Sequence, residues 1–249
     1  MNFDIFHTDD IRVEHCDGTR RGVQQVLDAC REERRPYLVT TPHSLSGVPE
    51  NAHGVFGCSI TSYTPPLEGE VGRGHNLSGV PENAHGVLGC SITSSTPPLE
   101  GEVGRGLTSI LVPITMLEEE VYKAEICTYL ARKTGAHLIL LRANDYGSKA
   151  RSNTQRIITH IQTIAERTGE RITYEERIAK GDSFHIHKEL HTIPPLEGEV
   201  RWGLILLTAS REYGLDDWLF GPPEQYVIRH SPVPVMLVNP RADLFSLCD

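Results

Sequence analysis

The sequence predicts an α/β fold: a doubly wound parallel sheet in three layers, with helices on both faces. Three observations support this. From Thr108 onwards, apolar strand-like runs alternate with helical patterns, the order that produces a parallel sheet. The first of these runs, Ser109–Ile114, is apolar almost throughout, as expected of a strand buried on both faces. Two of the helical stretches end at Gly135 and Gly169, and glycine commonly closes helices.

The individual elements follow from the spacing of apolar residues. Helical stretches repeat them every three or four positions, as at Ile157, Ile161 and Ile164, whereas strands carry short continuous or alternating runs. The predicted strands are Ser109–Ile114, His137–Leu141, Arg171–Ile178, Leu204–Leu207 and Val233–Val238. The predicted helices are Leu117–Thr134, Ser152–Thr168, a short one capped by Asp182 or Ser183 and ending at Leu190, and Pro222–His230.

Residues 1–44 carry a smaller strand–helix–strand pattern. Ile11–His15 predicts a short strand, and Thr19–Arg35 a helix that Pro36 ends. Tyr37–Thr41 then predicts a second strand, which Pro42 closes. A unit of this size is too small to bury a core alone.

A tandem repeat separates these two parts. Residues 45–74 and 77–106 differ at only two positions, Phe56/Leu88 and Tyr63/Ser95. Solenoid repeats keep their apolar pattern while surface positions drift, but here the presumed surface positions match as well. Part of the repeat, PPLEGEV, occurs a third time within residues 193–203. We interpret 45–107 and 193–203 as inserted, poorly ordered sequence, and 241–249 as a tail.

Composition limits the possible partners and the location. The net charge of −9 disfavours nucleic acid and anionic membranes as partners, because both repel an acidic protein. No apolar run has the length of a membrane span, and the first ten residues lack the pattern of a signal peptide. No CxxC pair occurs among the six cysteines. We therefore expect a cytoplasmic protein with reduced thiols.

The last third of the chain resembles one protein family. Arg229–Val235 reads RHSPVPV and follows a strand and a loop that ends in Gly221. The run SILVPI, the stretch Thr134–Leu138 (TGAHL) and the pair Gly181–Asp182 match the family's earlier elements in order. In these features residues 108–240 resemble the universal stress proteins.

The resemblance implies a Rossmann-like sheet, similar to that of the adenine nucleotide alpha hydrolases, with strand order 3-2-1-4-5. It implies a homodimer formed through the exposed edge of the last strand, Val233–Val238. It also implies a non-catalytic role in stress adaptation through protein partners that the sequence does not identify. Because the family often occurs in tandem, Tyr37–Pro42 is either the closing strand of a degenerate first copy or part of an unrelated extension.

Members that bind ATP share three features: an Asp that ends strand one, a Gly-Asp pair before helix three, and a glycine loop after strand four. The corresponding positions here are Thr115, Gly181, Asp182, Thr208, Arg211 and Gly221. Thr115 lacks the carboxylate, and Arg211 is too bulky for close backbone approach to phosphate. We expect no bound ATP. The alternatives are a nucleotide-sensing module with a degenerate pocket, or a protein disabled by the insertions.

The remaining polar clusters predict neither a metal site nor catalysis. His185, His187 and His191 do not share one helix face, so we expect a solvated surface. The acidic residues after strand four lack a nucleophile at a recognisable spacing, and no Gly-x-Ser-x-Gly turn is present. We therefore expect no catalytic residues, and a protein that is not an enzyme.

Overall fold

The computed structural model describes residues 11–33, 35–45, 107–190, 203–209 and 222–239. The strands are β1 (Arg12–His15), β2 (Tyr37–Thr40), β3 (Ser109–Ile114), β4 (His137–Arg142), β5 (Tyr174–Ile178), β6 (Gly203–Thr208) and β7 (Val235–Val238). The α-helices are α1 (Arg20–Glu33), α2 (Pro42–Leu45), α3 (Lys123–Thr134), α4 (Lys149–Thr168) and α5 (Pro223–His230). Two 3-10 helices occupy Glu118–Tyr122 and Ile186–Lys188.

All seven strands form one sheet in the order β1-β2-β7-β6-β3-β4-β5. The five strands from β3 to β7 all run parallel to one another. Numbered from β3, their order is 3-2-1-4-5, which confirms the predicted doubly wound fold. The chain leaves β3 towards β4 on one side and later returns to β6 on the other. The order therefore reverses between β3 and β6.

The central strands of the sheet are buried because helices pack on both of its faces. One apolar cluster joins Ile110, Val112 and Leu140 to α3 and α4. The other joins Leu111 and Ile139 to α1 and α5. Successive residues of a strand point to opposite faces, so a strand covered on both sides must be apolar at nearly every position. This accounts for the continuous apolar run in β3.

Several predicted boundaries are shifted. The acidic stretch Glu118–Tyr122 is a 3-10 helix, so α3 begins only at Lys123. The short helix expected up to Leu190 is limited to the 3-10 turn Ile186–Lys188. β7 begins at Val235 rather than Val233, since Pro234 has no N–H to donate to a neighbouring strand.

The N-terminal unit adds two strands to the same sheet. β1 is parallel to β2, and β2 pairs antiparallel with β7 in the register Tyr37–Leu237, Leu38–Met236 and Val39–Val235. The side chain of Asn239 donates a 2.7 Å hydrogen bond to the carbonyl of Cys30 and so ties the end of β7 to α1. The expectation that the edge of β7 is exposed is therefore wrong, because β2 covers it. The sequence contains no local signal for this long-range pairing.

No helix within the described ranges is both long and apolar enough to cross a membrane. Residues 46–106, 191–202 and 240–249 lie outside those ranges. The predictions about the inserted repeat, most of its third fragment and the tail fall there.

Candidate functional site

The candidate site lies where the strand order reverses, at the carboxyl ends of β3 and β6. Open parallel sheets bind ligands at this position because the loops that leave neighbouring strands diverge there. Thr115 directly follows β3, and Thr208 is the last residue of β6. The structure thus brings together two of the six predicted site residues.

A buried carboxylate occupies the space between these two strand ends. The hydroxyl of Thr115 donates a 2.7 Å hydrogen bond to Oε1 of Glu120, and the hydroxyl of Thr208 lies 3.4 Å from Oε2. Glu120 is only 3% exposed. The 3-10 helix that precedes α3 therefore directs an acidic side chain into the position where a ligand is expected.

A lysine neutralises this carboxylate. Lys123 is 1% exposed, forms an ion pair with Glu120 and donates to the carbonyl of Pro113. Residues three apart lie on the same side of a helical turn, which explains why the two charges meet. A buried charge is tolerated when it is paired and hydrogen-bonded, and the two threonine hydroxyls supply the additional bonds here. The site is thus a closed polar network.

An amide from α4 fixes the turn that follows β3. The side-chain nitrogen of Asn153 donates to the carbonyls of Thr115 and Leu117 over 2.9 and 2.8 Å. Asn153 is itself buried. These two bonds hold the backbone of the turn against α4. Thr115 is therefore held at its carbonyl by Asn153 and at its hydroxyl by Glu120.

A serine joins the ends of three strands, and we call it the Ser183 hub. The N–H of Met116, after β3, donates to Oγ of Ser183 over 2.9 Å. The N–H and hydroxyl of Ser183, which lies after β5, donate to the two carboxylate oxygens of Asp145, after β4, over 2.9 and 2.5 Å. The loops of β3, β4 and β5 are therefore tied to one another by internal hydrogen bonds.

The Gly-Asp pair is also bonded internally. The N–H of Gly181 donates to the carboxylate of Glu189, and a Cβ at this glycine would lie 3.0 Å from that carboxylate. The carboxylate of Asp182 accepts from the N–H groups of Phe184 and His185, both at 3.1 Å. It also lies 2.7 Å from Nδ1 of His185, and this hydrogen bond lowers the pKa of Asp182. Asp182 thus closes a local turn of the kind its side chain favours.

Sequence reasoning located part of this site. Thr115 and Thr208 meet through Glu120, while Gly181 and Asp182 lie in the loop that carries the Ser183 hub. Arg211 and Gly221 lie outside the described residues. The sequence carries no recognisable signal for four side chains that organise the site, and for Ser183 it predicts only a helix cap. The four are Glu120, Lys123, Asn153 and Asp145.

Lys123 is not available to bind a phosphate. Its ammonium group is already paired with the carboxylate of Glu120 and bound to the carbonyl of Pro113. Within the part of the chain that the structure describes, no group of three or more His, Cys, Asp or Glu residues is placed to hold a metal ion. The polar groups between the ends of β3 and β6 are bonded to one another within the protein.

The sheet order and the crevice at its switch point define a doubly wound α/β domain of the type that includes many nucleotide-binding proteins. The family model described as the universal stress protein family matches residues 107–239, more than half of the chain. The chain belongs to the universal stress protein family.

Solved structures that are similar to this chain include two described as universal stress proteins. One is a universal stress protein from Archaeoglobus fulgidus DSM 4304, with 13% identity and a TM-score of 0.48, covering 94% of this chain. Another, from Pseudomonas aeruginosa UCBPP-PA14 and assigned to the same kind of protein, has 12% identity and a TM-score of 0.40, covering 96%. The chain spans 62% and 66% of the lengths of these two proteins. No curated protein sequence matches it.

Proposed function

We propose that this universal stress protein is non-catalytic, does not hold ATP at the switch point of its sheet, and serves stress adaptation through protein contacts in the cytoplasm. The observation that supports this most directly is the buried carboxylate of Glu120 between the ends of β3 and β6. Family membership supports the stress-response role.

The pairing of Lys123 argues against a polyphosphate at this position. An ion pair carries no net positive charge to attract a phosphate. The ammonium group of Lys123 is bound to Glu120 and to the carbonyl of Pro113. A triphosphate could bind Lys123 only by displacing Glu120, which would leave that carboxylate buried without its counter-ion.

The hydrogen-bond donors at the strand ends are also in use. The hydroxyls of Thr115 and Thr208 and the N–H groups of Met116 and Gly181 all have acceptors within the protein. A ligand would have to break these bonds and form new ones in their place. Since a hydrogen bond contributes roughly 1 kcal/mol, such an exchange adds little to the free energy of binding. These donors therefore favour the internal bonds over a bound ligand.

The buried thiols do not suggest nucleophilic chemistry. Burial raises the pKa of Cys30 and of Cys127 to about 12 in each case. The thiolate is the reactive form of cysteine, so both side chains stay protonated and inert at neutral pH. This supports a protein that acts by binding.

A thermal-shift titration of the full chain with Mg-ATP, ADP and AMP tests the proposal. A ligand present at 100 times its dissociation constant stabilises a protein by about 2.7 kcal/mol, which would raise the melting temperature by a few degrees. We expect no saturable rise with any of the three nucleotides. A saturable rise would refute the proposal and favour the nucleotide-sensing alternative.

A double variant and a single control test why nucleotides do not bind. Glu120→Gln combined with Lys123→Met removes both buried charges, whereas Glu118→Gln removes an exposed carboxylate from the same 3-10 helix. If the closed Glu120–Lys123 network is what excludes nucleotides, any gain of ATP binding is confined to the double variant. A gain in Glu118→Gln would show that the net charge of the surface is responsible.

A further inference from the structure

Strand β5 forms one edge of the sheet, and its outer side is exposed. It is last in the strand order, so no described strand pairs with it on the side away from β4. The side chains of Glu176 and Ile178 are exposed, and Ile178 is a large apolar residue that is 59% exposed. Helix α4 packs mainly against β3 and β4. An uncovered edge strand is a template for pairing with another chain.

The bonds between β5 and β4 show which backbone groups point outwards. At the two ends of β5, Thr173 and Ala179 bond to the backbone of β4. The backbone groups of a strand alternate in direction, so the odd-numbered residues of β5 face β4 and the even-numbered ones face away. The N–H and C=O groups of Tyr174, Glu176 and Ile178 are therefore directed towards the free edge.

The sequence of β5, YEERI, is complementary to itself. An antiparallel copy centred on Glu176 places Glu175 opposite Arg177 of the second chain. The same register places Tyr174 opposite Ile178. A two-fold axis repeats each of these contacts. Opposite charges and pairs of an aromatic with a β-branched residue both stabilise facing strands, so the side chains of β5 favour this register.

The backbone favours the same register. In an antiparallel pair, facing residues whose backbone groups point at each other exchange two N–H···O=C bonds. Glu176 faces its own copy and Tyr174 faces Ile178, so the outward groups of all three residues gain partners. Glu175 and Arg177 occupy the positions between these bonds, where facing Cα atoms are about 4.5 Å apart and side chains approach most closely.

The charges near the axis have counter-ions within each chain. Two copies of Glu176 face each other in this register, but each pairs with Arg142 of β4 over 2.8 Å. Glu175 lies 2.5 Å from Arg177 on its own strand. In a dimer the two copies of this second pair alternate in sign around the axis. A network of this kind contributes more than an isolated surface ion pair.

We propose that two copies of this chain pair antiparallel through β5, centred on Glu176, and extend the sheet across a two-fold axis. This inference goes beyond the proposed function and does not depend on it. The opposite edge of the sheet, β1, fits less well. It is one residue shorter, and its Arg12, which could face Glu14 of a second copy, is already paired with Glu33 of α1.

Sedimentation velocity of the full chain at a series of micromolar concentrations tests the proposal. The buffer contains about 0.15 M salt, at which the Debye length of about 8 Å limits the repulsion between two acidic copies. We expect a reversible equilibrium between monomer and dimer. A chain that stays monomeric at every concentration would overturn the inference.

Two proline variants identify the edge. Ile178→Pro and Val13→Pro each replace an apolar residue whose N–H faces outwards from an edge strand, so neither removes a bond within the sheet. We expect loss of the dimer with Ile178→Pro and an unchanged dimer with Val13→Pro. A cooperative melting transition shows that each variant is folded. Loss of the dimer with Val13→Pro alone would assign the interface to β1 and contradict the proposal.

Charge reversals test the register. Arg177→Glu and Glu175→Arg each place like charges opposite one another on both sides of the axis, so each should weaken the dimer roughly tenfold. An equal mixture of the two variants should dimerise again, because each chain carries the charges that the other lacks. The double exchange of Glu175→Arg with Arg177→Glu should dimerise by itself. Undiminished dimers of the single variants, or a mixture that stays monomeric, would contradict the register.

A dimer through β5 is separate from any association through β7. It leaves the pairing of β2 with β7 intact, so an uncovered β7 edge would add a second interface. Association through β7 is therefore measured in chains that carry Arg177→Glu, which lack the pairing through β5. A saturable effect of ATP would refute the proposed function and leave this interface untouched.

Discussion

At the scale of single residues, Glu120 and Lys123 form a buried ion pair at the centre of the site. Replacement of Glu120 by Ala leaves the ammonium group of Lys123 buried without its counter-ion. Breaking a buried ion pair from one side costs about 3–5 kcal/mol. We predict a loss of that size in the free energy of unfolding, measured by urea denaturation.

The control for this prediction is Glu118→Ala, an exposed position in the same 3-10 helix, which should change stability by less than about 0.5 kcal/mol. Removal of both charges in Glu120→Gln with Lys123→Met should recover much of the loss, because no unpaired charge remains. Similar costs for Glu118→Ala and Glu120→Ala would contradict the assigned burial of the pair.

Asp182 gives a pH-dependent prediction. Its hydrogen bond to His185 lowers the pKa of the folded state below the ordinary value of about 3.9. A carboxyl group with a depressed folded-state pKa stabilises the protein above its unfolded-state pKa and loses that contribution as pH falls through the folded value. We predict that His185→Ala raises the pKa of Asp182, as followed by carboxyl-carbon NMR.

The matched control for this titration is His187→Ala, which changes a neighbouring histidine that does not bond to Asp182 among the described contacts. It should leave the Asp182 titration close to that of the parent. An unchanged Asp182 pKa in His185→Ala would show that the backbone N–H groups alone set its value.

At the scale of elements, the pairing of β2 with β7 matters most. The N–H of Arg12 donates to Pro36 and that of Cys16 to Thr40, so the even-numbered residues of β2 bond to β1. By alternation, the backbone groups of Tyr37 and Val39 face β7. Val39→Pro therefore removes a donor from this pairing and uncovers the edge of β7.

We predict that the parent chain does not dimerise through the edge of β7, because β2 covers it. Val39→Pro should form dimers through the freed edge, as measured by sedimentation velocity. Val39→Thr is the control, because it keeps the N–H and the branched shape. A parent protein that dimerises to the same extent as Val39→Pro would contradict this account. On this prediction, the homodimer expected from the family resemblance forms through β7 only when β2 leaves that edge.

The register of this pairing suggests an origin for the N-terminal unit. Pro36 precedes β2 as Pro234 precedes β7, and the pairing is centred on Leu38 and Met236. We propose that β1–α1–β2 is the closing unit of a degenerate first copy, equivalent to β6–α5–β7. If the two units are equivalent, the two-fold axis that superposes β2 on β7 should also superpose α1 on α5. A crystal structure in which it does not would contradict the proposal.

The sequence predicts the five parallel strands well, because each strand and helix has its own local apolar pattern. It does not predict the partner of β2, since that pairing joins residues nearly 200 positions apart and depends on packing. It also does not reveal Glu120. In an acidic run, the buried carboxylate of Glu120 cannot be told from the exposed Glu118 and the half-buried Glu119 until the position of Lys123 is known.

At the scale of the whole molecule, one sheet contains both the family domain and the N-terminal unit. Family membership rests on residues 107–239, while the N-terminal unit completes the sheet on the other side of β7. The carboxyl ends of β3, β4 and β5 are joined by the internal hydrogen bonds of the Ser183 hub.

Isothermal titration calorimetry of the full chain with Mg-ATP tests the central claim most directly. We predict no binding heat above that of dilution, in the parent and in Glu118→Gln alike. A saturable one-site isotherm for the parent, weakened by substitution of Thr115 or Thr208, would place a nucleotide in the crevice and contradict the claim.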